Sequence, residues 1–165
     1  NTSTHVKIAV GGTLRTNTSL SMALRSFNKA TANGYAIFGA PVEQKLSVSG
    51  SSVMVGVGKK FKQTNTFIEP KLEFGVARLE TSGTQENGQG GVFPENRSTN
   101  AVVGLSVTGG YKLNSELDLI GSFGYHRYGK VKTGLSPAGL GMNAGERLES
   151  SLKVTSISVG LRFGF

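Results

Sequence analysis

Apolar residues fall at every second position in seven stretches of this chain. Val6, Ile8, Val10 and, further on, Leu14 alternate with Lys7, Ala9, Gly11 and Thr13, and Leu20, Met22 and Leu24 with Ser21, Ala23 and Arg25. Val53, Val55 and Val57 alternate with Met54, Gly56 and Gly58, while Ile68, Leu72, Phe74 and Val76 stand opposite Glu69, Lys71, Glu73 and Gly75. Ala101, Val103, Leu105, Val107 and Tyr111 are interleaved with Gly104, Ser106, Thr108 and Lys112. Leu117, Leu119, Phe123 and Tyr125 are interleaved with Asp118, Ser122, Gly124 and His126. At the end, Ile157, Val159, Leu161, Phe163 and Phe165 alternate with Ser156, Ser158, Gly160, Arg162 and Gly164. Successive side chains of a β-strand point to opposite faces, so each stretch predicts a strand with one apolar face and one small or polar face. No 3.6-residue period or heptad is sustained, and the chain reads as all-β. Strands are expected over 5–14, 18–28, 50–61, 67–80, 101–112, 117–130 and 151–165.

The connections alternate in length. Short ones at 14–18, 62–66 and 112–116 share a basic residue followed by Asn and then Ser or Thr, as in Arg15-Thr16-Asn17-Thr18 and Lys112-Leu113-Asn114-Ser115. Asn favours turns because its side chain caps nearby backbone and it tolerates a left-handed conformation. Residues 81–100 and 131–149 are polar and Gly-rich and predict long loops, as does 28–50 with its apolar patch Tyr35-Ala36-Ile37-Phe38.

Composition sharpens this picture. The chain has 165 residues, of which 37% are hydrophobic. It has no run of 18 apolar residues, which excludes a transmembrane helix. The mean hydropathy of −0.11 would suit a soluble protein. It is also what two opposite faces on each strand would average to. The absence of Cys rules out disulfides and thiolate chemistry, and two His leave little for a His-based metal site. Gly occurs 24 times, about twice its usual share of roughly 7%. Small residues relieve crowding inside a narrow barrel. The chain opens at Asn1 with no charged and apolar leader, which predicts that any secretory signal has already been removed.

Alternating strands of about ten residues, short turns on one side and long loops on the other predict an antiparallel up-and-down transmembrane β-barrel. It would form a single domain over 1–165. In such a barrel every backbone group is paired without any long apolar run. The turns give only seven readable strands, whereas single-chain bacterial barrels have even numbers. Either a strand before the first is missing, or residues 34–43 form the eighth; the second option needs no further material and is preferred.

The C-terminal strand ending in Leu161, Phe163 and Phe165 resembles the assembly signal of Gram-negative outer-membrane proteins. Together with the repeated Asn-Ser/Thr turns, it makes nearly the whole chain resemble the OmpA-barrel, OmpX and opacity-protein superfamily. That resemblance implies residence in the bacterial cell outer membrane, with short turns toward the periplasm and long loops toward the exterior. It also implies contact with membrane lipids, lipopolysaccharide among them, and with the outer-membrane assembly machinery.

The alternation assigns Lys7, Arg25, Lys60, Glu69, Lys71, Glu73, Asp118, His126 and Arg162 to the face away from lipid. Buried charges need partners, so these residues are expected to form an ion-pair network filling the lumen, with Glu73 opposed by Arg25 or Arg162. Ser122 and His126 lie four residues apart on one strand face, roughly 13 Å, too far for a nucleophile–base hydrogen bond. The chain is similar in size to outer-membrane lipid A-modifying enzymes, but His126 is followed by Arg127 and Tyr128 and not by a His-x-Ser arrangement. No catalytic residue and no cofactor are therefore expected. The net charge of +8 is dispersed without an RNA-binding aromatic motif, which argues against nucleic acid. Basic residues such as Lys130, Lys132 and Arg147 are expected at the outer rim, where they could meet lipid phosphates. The expected function is structural or surface-interacting, through adhesion or through host or partner binding by the long loops. Alternatives are a narrow porin-like channel for ions or small solutes, a lipid-modifying enzyme, and a soluble β-barrel for an apolar ligand.

Overall fold

The computed structural model describes residues 5–14, 16–38, 40–86, 91–135 and 147–164, without the side chains of 32, 34–38, 40–42 and 86. The chain is all-β, with no helix among the described residues. Its strands are β1 (His5–Thr13), β2 (Thr18–Phe38), β3 (Ala40–Lys59), β4 (Phe61–Gln63), β5 (Thr66–Glu86), β6 (Gly91–Lys112), β7 (Leu117–Lys132) and β8 (Glu149–Phe163). They form one antiparallel sheet in the order β1-β2-β3-β5-β6-β7-β8, with the short β4 beside β5. The sheet curls into a half-barrel, bringing side chains of β1, β2, β5 and β7 together across its concave face.

The long strands pair with one another antiparallel, and the two ends of the half-barrel differ. At one end lie three tight turns. Asn17 closes the first in a left-handed conformation (φ 58°), and its carbonyl accepts from Lys60 N at 2.8 Å. In the second, Thr64 takes the positive φ of 33° and Asn65 instead accepts from Lys112 N at 2.7 Å. In the third, the Asn114 side chain accepts from Glu116 N at 2.9 Å. The similar sequences thus use Asn differently: Asn17 and Asn65 accept through their carbonyls, the first from a left-handed conformation, and Asn114 through its side chain.

At the other end the strands run on well past the apolar stretches, which corrects two expectations. Residues 34–43 are not an eighth strand; they lie on the two arms of the β2–β3 hairpin, with Gly34 opposite Gln44 and Phe38 opposite Ala40. The eighth strand of the sheet is β4, three residues long. Nor are 28–50 and 81–100 loops: their described residues are paired strand, out to Gln85 opposite Gly91. Polar and Gly-rich composition suggests loop, yet extended backbone pairs equally well when Thr, Ser and Gln occupy it, because the ladder bonds involve only main-chain groups. Of the 131–149 connection, residues 136–146 lie outside the described residues, as does Phe165.

Register shifts occur at Phe27/Ala30 on β2, between Thr81 and Gly83 on the β5–β6 pair, and at Arg127/Lys130 on β7, where Gly129 has φ +75°. An extra residue in one strand moves its following side chains to the opposite face. Gly124 and His126 are buried before the shift and Tyr128 within it, and Val131 and Thr133, the latter just past β7, after it.

Candidate functional site

The concave face has two unlike halves. Toward the hairpin end it is an apolar core of Phe27, Leu46, Val48, Met54, Ala77, Leu79, Val102, Tyr128 and Val131, against which Leu148, Leu152 and Val154 pack. Phe27 and Tyr128 meet edge to face with ring centroids 5.6 Å apart. Toward the turn end the same face carries charge.

Glu73 is the centre of that charged half. Its carboxylate meets the Arg25 guanidinium at 3.1 Å, the Lys7 ammonium at 3.6 Å and His126 Nε2 at 2.6 Å. These partners come from β1, β2 and β7, so the cluster spans the concavity. In the ladder, Glu73 lies opposite Gly104, and Gly104 opposite His126. Glycine leaves the space above β6 empty, and the imidazole lies across it to reach Glu73. A methyl group at Gly104 would overlap the ring. Arg25 Nη1 lies 3.0 Å from His126 Nδ1. Since guanidinium can only donate, Nδ1 accepts, and the imidazole proton sits on Nε2, from which it is donated to Glu73.

A second cluster lies one step nearer the turns. Glu69 pairs with Lys71 at 3.3 Å and with Arg162 at 3.6 Å. Arg162 Nε also donates to Asp118, its ladder neighbour on β7, at 3.0 Å. The Phe67 ring lies between Arg162 and Lys60, whose charged groups are 4.1 and 4.2 Å from its centroid. Gly110, opposite Phe67, leaves room for that ring as Gly104 does for His126.

The structure therefore brings Lys7, Arg25, Glu73 and His126 into one cluster and Glu69, Lys71, Asp118, Arg162 and Lys60 into another. Glu73 pairs with Arg25 and not with Arg162. Both ring nitrogens of His126 are engaged by Glu73 and Arg25, and Ser122 faces Thr108 at 3.1 Å. Leu161 and Phe163 are exposed on the convex face of β8. Phe67 was not singled out in the sequence, although the glycine opposite it was a signal.

The convex face reverses the arrangement. Over the charged half it carries exposed Val, Leu, Ile and Phe from every long strand. Over the apolar half it carries exposed Arg78, Arg97, Thr99, Arg127, Lys130 and Lys153. Arg127 and Lys153 stand directly opposite one another across β7 and β8. Lys130 and Lys132 both reach Glu149 at 2.9 Å, and their ammonium groups hold its carboxyl well below the usual range, at about 2. A depression of about 360 Å³ on this face lies over Val6, Leu24, Val53 and Val76, with Ser26, Ser51, Arg78 and Thr99 also in its lining. Among the described residues no group of three His, Asp or Glu is placed to hold a metal ion. No family model, curated protein or solved structure matches this chain.

Proposed function

We propose that this protein is an integral β-barrel of the bacterial outer membrane that displays its long hairpins as an interaction surface. The observation that carries this reading is the reversal of polarity along single strands. On β6 the exposed apolar face runs from Ala101 to Tyr111. That is about 34 Å of strand, or about 26 Å of height at a tilt near 40°, close to the roughly 25 Å apolar band of outer-membrane barrels. Such a continuous apolar surface is far larger than soluble monomers expose. Beyond the band, the strands bury an apolar core and face outward with Arg, Lys and Thr, the arrangement of a protein in water.

The basic residues just past the band fit lipid phosphates. Arg127 and Lys153, like charges in direct opposition, repel unless an anion lies between them. A lipopolysaccharide phosphate at the membrane surface supplies one, and this orients the hairpin end toward the exterior. The hairpins β2–β3 and β5–β6 then project from the membrane as stiff paired strands, suited to contacting a host or partner surface. The two charged clusters fill the concave space beside the band and act as a plug. A channel reading rests on the same charged interior. It predicts that the unaltered protein conducts in planar bilayers, whereas for a plug conductance rises only on Glu73→Ala.

The deciding experiment is detergent dependence. The protein is expected to aggregate in plain buffer, and in detergent to be monodisperse with heat-modifiable migration on a gel. A monodisperse, folded protein without detergent would overturn the membrane reading in favour of a soluble barrel.

A further inference from the structure

β1 and β8 are the two edges of the sheet, and among the described residues neither pairs beyond β2 and β7 respectively. The openness shows in the side chains. Ala23 on β2 is 3% exposed, whereas Ala9, its ladder neighbour on β1, is exposed on the same face. Convex residues of the edges, Val10 at 72% and Val159 at 79%, stand well clear of the 38% of Val53 in the middle of the sheet. Unpaired strand edges are templates for a further strand.

The direction of the edges limits what can fill the gap. His5 at the start of β1 lies opposite Phe27 and Glu149 at the start of β8 opposite Lys132, both toward the hairpins; both strands end at the tight turns. The edges therefore run the same way. Pairing them directly would need a parallel ladder in an otherwise antiparallel sheet. A second copy joined by a two-fold axis along the barrel would also give parallel pairs. One joined β1 to β1 would point its hairpins to the opposite side, which the membrane reading forbids. A single additional strand running against both edges satisfies both ladders.

Charge describes that strand further. Within the two clusters on the concave face, Lys7, Arg25, Lys60, Lys71 and Arg162 face Glu69, Glu73 and Asp118, five cations to three carboxylates. Lys7 and Arg162, one on each edge, keep side chains that are 21% and 31% exposed. We infer that the half-barrel is completed by one β-strand from outside these 165 residues. It is about ten residues long, antiparallel to β1 and β8, apolar on its convex face, and carries carboxylates inward against Lys7 and Arg162. The filling of the gap by one strand rests on geometry alone; its length, its apolar convex face and the exclusion of an inverted second copy rest on the membrane reading.

The test uses hydrogen exchange on the folded protein in detergent. The probe is a synthetic peptide of about ten residues, with Val and Leu alternating with Ser and Glu. Alone, the protein should exchange alternate amides of β1 and β8 at least tenfold faster than those of β5 and β6. Saturating peptide should slow those edge amides at least tenfold, at one peptide per protein. A peptide with Lys in place of Glu should bind at least tenfold more weakly, and K7E/R162E should reverse that preference. Edge protection in the protein alone would overturn the inference. If independent of concentration, it would mean the edges pair directly; if rising with concentration, a second copy. No protection by either peptide, or equal binding of both, would also overturn it. Aggregation without detergent reports on the membrane reading separately, so the two can fail independently.

Discussion

The turn half and the hairpin half of this half-barrel are built from the same strands with opposite solutions. Near the turns, charge is inside and apolar surface outside; near the hairpins, the apolar core is inside and charge outside. The ladder is indifferent to the change, because backbone pairing does not depend on which face is apolar. What changes is the solvent each half is suited to. Each half also stabilises its interior differently. Glu73 is held by three cationic or hydrogen-bonding partners in a space cleared by Gly104, whereas Leu79, fully buried, is held by close packing.

The largest expected effect tests the charged half. Glu73→Ala leaves Arg25 and Lys7 without their carboxylate and should cost about 3–5 kcal/mol in urea unfolding from lipid vesicles. A change below about 1 kcal/mol would mean that water already screens this cluster, and that the two halves are less different than their side chains suggest. In the apolar half, Leu79→Ala should cost about 2–5 kcal/mol by the same measurement, the range of cavity-forming changes.

The third test concerns the outer faces. Leu105→Arg, in the middle of the exposed apolar band, should cost about 2–4 kcal/mol in lipid, while Thr99→Arg, two ladder steps beyond Val103, should cost little. Equal and small effects at both positions would erase the distinction between band and hairpin. The smallest effect belongs to Glu149. Its folded carboxyl titrates near 2, below its ordinary 4.5, so the contribution of its two lysine contacts is present above about pH 4.5 and lost as pH falls through 2. The chemical shift of its carboxyl carbon should report a midpoint near 2, returning toward 4.5 when Lys130 and Lys132 are both replaced by Gln.

Much of the turn half was legible in the sequence. The alternation from Val6 to Val10 and from Ile68 to Val76 assigned Lys7, Glu69, Lys71 and Glu73 to one face, because side-chain direction in a strand follows from position alone. The partnership of Glu73 with His126 was not legible. It depends on a register that places both beside Gly104, and that register is set by how two hairpins, β5–β6 and β6–β7, close. The hairpin half was largely misread. Thr, Gln and Gly in 81–100 suggested a loop, and the register shifts at Thr81/Gly83 and at Gly129 place Phe93 and Val131 on the concave face, out of phase with the alternation on the rest of their strands.

The sequence by itself determined that this chain is a set of antiparallel strands, each with an apolar and a polar face, because a period of two is a property of consecutive residues. The tertiary structure alone decided which polar groups meet, where each face reverses, and that residues 34–43 belong to the β2–β3 hairpin, so that the odd strand count leaves two parallel-running edges. Those features depend on stagger, bulges and curvature. Each arises from how separate strands are aligned, and no local stretch of sequence encodes that alignment.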